Sequence, residues 1–122
     1  MIIKMNKYKS DLLESKEDLY KILDKGTNED IKLALIGAVR GIDDFNWLQS
    51  IYLKYINHSN FWVAKTAINC LGDLARIHKK INLTELYYSF DKIEDEKLKP
   101  TIQDTLEDIM IFVKKDDDND AD

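Results

Sequence analysis

Apolar residues recur along this chain with the period of an α-helix. Val63, Ala67, Leu71 and Leu74 stand at i, i+4, i+8 and i+11, which keeps all four on one face at about 3.6 residues per turn. The same spacing appears at Ile31, Leu35, Val39 and Ile42, and again at Leu98, Ile102, Leu106 and Ile109. A second pattern lies between these: Leu48, Ile51, Tyr52 and Tyr55 match Leu83, Leu86, Tyr87 and Phe90 at an offset of 35 residues. An opening helix over roughly Lys7 to Lys25 carries Leu12, Leu19, Ile22 and Leu23.

Stop and start signals divide the pattern. Gly26 ends the first helix and Thr27 opens the second, with Glu29 and Asp30 in its first turn, where the helix dipole favours acids. Gly41 and Asp43-Asp44 mark a turn before a third helix over roughly Asp44 to Asn57. Ser59 or Asn60 caps the central helix, which closes at His78-Lys79-Lys80. Asn82 has Glu85 three residues on, a capping-box spacing, and starts the fifth helix. The last helix covers about Asp95 to Lys114, with Pro100 near its start, where a missing N–H costs least, or bending it. The class is all-α, with five or six helices. Two helix kinds alternating every 32 to 35 residues point to a short α-solenoid, with an irregular helical bundle as the alternative.

One segment carries a family likeness. Trp62-Val63-Ala64 and Leu71-Gly72-Asp73-Leu74-Ala75-Arg76 resemble the inner helix of HEAT-like repeats. With His58 before them and Glu107 to Phe112 (EDIMIF) near the end, the stretch from Thr27 to Phe112 resembles small HEAT-like bacterial immunity proteins of polymorphic-toxin and contact-dependent growth inhibition systems. The first repeat departs from the pattern, with Gly37, Arg40 and Gly41 in place of the Leu-Gly-Asp run. The resemblance implies a protein that binds one toxin domain, in many such systems a nuclease, and masks its active site inside the producing cell. The other reading is a HEAT-like scaffold or adaptor that binds another cellular protein or itself.

Charge and composition narrow the options. The chain has 122 residues and a net charge of −5, but its last seven residues, DDDNDAD, hold five aspartates. Without them, 18 acidic and 18 basic side chains balance. The expected organisation is a single helical domain over 1–115 and a solvated, flexible acidic tail over 116–122. No basic stripe suits a nucleic-acid backbone, so no direct nucleic-acid partner is expected. No apolar run is long enough for a membrane span or a signal peptide, and the lone Cys70 sits within an apolar helix. A cytoplasmic protein, monomeric when free, is the simplest expectation.

Candidate chemistry is sparse. His58 and His78 stand at opposite ends of the central helix, roughly 30 Å apart along a straight rise, so they share no ion. No metal, cofactor or catalytic residue is expected. There is no HExxH, nucleophile elbow or phosphate-binding glycine loop, and Asp104 with Asp108 reads as an exposed polar stripe. Adjacent aromatics are more telling. Neighbours on a helix point about 100° apart, so Phe61-Trp62 and Tyr87-Tyr88 are expected to pack between helix layers, Trp62 above all, or else each to expose one ring. The polar face of the central helix is Lys65, Asn69, Asp73 and Arg76. Its counterpart on the last helix is Asp104, Glu107 and Asp108. These seven, with Trp62 and Tyr88, are the candidate partner-binding residues.

Overall fold

The computed structural model describes residues 13–120, with side chains through residue 113. Within that range it is all-helical, with six α-helices and one 3-10 turn. Helix α1 (Lys16–Lys25) is capped by Ser15, whose hydroxyl accepts from the Asp18 N–H at 3.2 Å. It starts later than its apolar pattern suggested, and the expected residues 7–12, Leu12 among them, lie outside the described range. Helix α2 (Asn28–Gly41) opens with a reciprocal capping box, Thr27 and Asp30 each accepting from the other's N–H at 3.1 Å. Helix α3 (Phe45–Tyr55) is capped by Asp44, α4 (Phe61–His78) by Asn60, and α5 (Leu83–Asp91) by Asn82. The 3-10 turn Glu96–Leu98 leads into α6 (Lys99–Asp120), which places Pro100 in a first turn, where its absent N–H is tolerated. The backbone of α6 continues through five of the seven residues of the acidic tail.

Helix α4 is the hub. It packs against α2, α3 and α6, while α1 packs on α2. Alternate helices therefore lie side by side, in the order α2, α4, α6. Small residues allow the close approach this needs. A Cβ on Gly72 would stand 3.3 Å from the Thr105 methyl of α6, so α4 and α6 nearly touch at that point. At the other end, Gly41 leaves room for the backbone of Leu13, whose N–H donates to the Gly37 carbonyl at 3.1 Å. Gly26 ends α1 for a similar reason. Its backbone is extended, not left-handed, and a Cβ there would meet the Ile22 carbonyl oxygen at 2.7 Å. Among the described residues the left-handed one is Lys79, at φ 60°, closing α4.

The core follows the two apolar patterns. Val63, Ala67, Leu71 and Leu74 are all fully buried, and each large aliphatic side chain removed from water contributes roughly 1.5–3 kcal/mol. Two polar groups tie the layers together from inside. The Tyr52 hydroxyl donates to the Leu35 carbonyl at 2.7 Å, joining α3 to α2. Buried Gln49 donates to Glu85 at 3.0 Å and accepts from the Asn82 N–H at 3.1 Å, joining α3 to the start of α5. Burial also raises the pKa of the Tyr52 hydroxyl and of the Cys70 thiol, so both stay protonated at neutral pH.

Candidate protein-binding face

Burying one arc of α4 against three helices leaves the opposite arc facing outward, and the polar residues of the helix fall there. Trp62 heads it with 57% of its surface exposed. Its ring meets Phe61 edge-on at 4.9 Å, and the Lys65 ammonium lies 5.5 Å from the Trp62 centroid and 5.9 Å from that of Phe61. Phe61 is partly buried and Trp62 is not packed between helix layers, so this pair exposes one ring, the second of the two arrangements its spacing left open. Further along, Asn69 is exposed, and Arg76 pairs with Asp73 at 3.0 Å one turn apart. At this exposure the pair is worth little to stability, roughly 0–1 kcal/mol, which leaves both groups free to change partners.

Helix α6 completes the face on one side. Asn69, Asp73 and Arg76 line a half-open cleft of about 300 Å³ with Asp108, and Gly72 and Thr105 lie where the two helices come closest. Phe112 bounds the far end. The cleft offers carboxylate, amide and guanidinium groups beside an aromatic ring, which suits the side chains of a protein surface. Asp104 is exposed one turn before Asp108 on the same helix.

Glu107 does not join this group. It turns about 100° from Asp108 and lines a separate hollow with Leu106 and Met110. Tyr88 is likewise apart, on α5. Its hydroxyl accepts from Lys92 at 2.6 Å, the ammonium sits 4.1 Å from the ring centroid, and this contact lowers the pKa of the phenol. Both members of the Tyr87-Tyr88 pair are exposed, against the expectation of one. The reason is that α5 is short and buries Leu86 and Phe90, leaving Tyr87 on the rim with its hydroxyl 3.5 Å from the Met110 sulfur.

Several exposed apolar residues escaped the sequence pattern. Ile36 and Leu33 lie on the outer side of α2, Ile36 with 55% of its surface free. Ile36 follows Leu35 of the buried stripe and so points about 100° away from it, a displacement visible in the spacing. Met110 and Ile111 are exposed on α6 for the same reason, beside buried Ile109. The histidines have structural partners: His58 stacks on Tyr55 and accepts from the Asn60 N–H at 3.0 Å, while His78 meets Phe45 edge-on at 5.2 Å. Among the described residues no three His, Cys, Asp or Glu side chains converge in a metal-binding arrangement. Among the described residues no helix is long and apolar enough to cross a membrane. Compared with known protein families, curated proteins and solved structures, the chain matches none.

Proposed function

We propose that this protein is an immunity-type binder, which neutralises a cognate toxin domain by covering its active site, performs no catalysis of its own and works in the cytoplasm of the producing cell. In this reading α2, α4 and α6 form one row of a short HEAT-like solenoid, with α1, α3 and α5 as the other. The observation that carries it is the outer face of α4. A half-exposed tryptophan, a lysine and the Asp73–Arg76 pair stand on a helix held by three neighbours. Such a surface is rigid before binding, so little ordering entropy is lost on contact. It also combines an aromatic anchor with charged groups, the composition favoured where partners bind tightly. The test is co-expression with the toxin domain encoded beside this chain. Cell survival and a stable one-to-one complex are expected. Cell death with no co-purification defeats the reading.

A scaffold or adaptor role is the second reading. The exposed apolar residues of the α5–α6 end favour it, since they lie away from the α4 face and offer a second contact surface.

A further inference from the structure

We propose that the outer face of α6 docks a second copy of this chain, antiparallel to the first, about a two-fold axis near Gln103. The proposal stands whether or not the partner of the α4 face is a toxin, and it replaces the monomer expected from sequence.

The first ground is the unpartnered surface. On α4, Ala64, Ile68, Leu71 and Ala75 are buried. The residues 35 positions on are Lys99, Gln103, Leu106 and Met110, and on α6 this strip lines an open hollow of about 620 Å³. Ile102 and Ile111 flank it, and Tyr87 of α5 reaches its edge through the Met110 sulfur. Among the described residues, the face that α4 covers with neighbours is thus left open on α6.

The second ground selects the occupant. Lys99, Gln103 and Glu107 stand one turn apart in a single row, and about 12 Å of helix separates the first from the last. The row is self-complementary under a two-fold axis. Turning one α6 antiparallel to another about Gln103 sets each Lys99 opposite the other copy's Glu107. It also sets the two Gln103 amides face to face: each donates one N–H to Glu107 of its own chain at 3.5 Å and has its second N–H for the other copy's carbonyl oxygen. Leu106 of each copy then lies alongside Ile102 of the other, within the 8–10 Å interaxial distance of packed helices. A parallel arrangement, or a head-to-tail one using another face, leaves the charges of this row without their mates. Lys99 already donates to the Ile93 carbonyl at 2.5 Å, which holds its stem in place and leaves two N–H groups for the second copy.

Sedimentation equilibrium over a concentration series reads the association directly. The full chain is expected to form a dimer at the upper concentrations. Glu107→Lys sets lysine against lysine at both ends of the contact and is expected to weaken association by at least about tenfold with an unchanged far-ultraviolet circular dichroism spectrum. The swap Lys99→Glu with Glu107→Lys is expected to restore it. Because Lys99 also bonds Ile93, Met110→Lys serves as a second variant: it puts charge into the apolar strip without touching that bond and must weaken association as well. A chain that stays monomeric throughout overturns the proposal. So does a dimer indifferent to Glu107→Lys or Met110→Lys, or a folded double swap that remains monomeric.

Discussion

The helix pairs α3–α4 and α5–α6 share one spacing of apolar residues but differ in how they use it. Leu71 on α4 is fully buried, whereas Leu106, 35 residues later on α6, is only partly so. Tyr52 on α3 is fully buried and donates to a carbonyl, whereas Tyr87 on α5 is 46% exposed. The difference lies in the neighbours. Helix α4 has α2 on one flank and α6 on the other, while α6 has α4 alone among the helices of its row. An amphipathic pattern declares that a face is apolar. What covers that face is decided by the tertiary arrangement, and at the end of the row nothing among the described residues does.

The contrast can be broken most sharply at the two leucines. Leu71→Ala is expected to cost about 3 kcal/mol of unfolding free energy, the usual toll of a cavity in a closed core. Leu106→Ala should cost about 1 kcal/mol, because water already reaches that side chain. Urea unfolding at low protein concentration measures both, and equal costs would mean that the α6 flank is covered after all.

The tyrosines sharpen the same point at smaller scale. Tyr52→Phe removes the hydrogen bond to Leu35 and should cost about 1 kcal/mol, while Tyr87→Phe should lie within about 0.5 kcal/mol of the parent.

The smallest effect concerns the caps. Asp44 caps α3 with a carboxylate that also meets the Lys16 ammonium at 2.6 Å, and Asn82 caps α5 with a neutral amide. The Lys16 hydrogen bond, then the Trp47 N–H, hold the Asp44 carboxyl below its ordinary value of 3.8. A lowered carboxylate lends its stability above that value and loses it as pH falls through the folded one. The stability gap between the parent and Asp44→Asn should therefore be constant near neutrality and shrink below about pH 4. Unfolding curves across that acid range check it, and a gap that widens on acidification would refute the sign.

Much of this fold is legible in the chain because its helix boundaries are written in short-range chemistry. Thr27 and Asn82 cap where their side chains predict, and of the two candidates before α4 it is Asn60 that caps. The start of α1 was obscured because Leu12 extends the apolar pattern past the Ser15 cap. The 3-10 turn before α6 depends on Asp95 accepting from the Lys97 N–H, a two-residue contact that the apolar period does not encode. At the candidate face, Lys65, Asn69, Asp73 and Arg76 were placed together because helical geometry alone sets their direction. Asp108 joins them through the α4–α6 packing, and Glu107 departs because one residue of rotation carries it to the other side. Burial of Gln49 was hidden because its partners, Glu85 and Asn82, lie more than thirty residues away.

The central claim is that the outer face of α4, and not the open end of α6, holds the protein partner. The most direct measurement is the dissociation constant of the complex with the proposed toxin partner, taken for the parent, Trp62→Ala and Met110→Lys by calorimetry. Trp62→Ala is expected to weaken the complex about 30-fold, equivalent to about 2 kcal/mol for an aromatic anchor, and Met110→Lys to leave it unchanged. A complex indifferent to Trp62→Ala but lost with Met110→Lys would contradict the account.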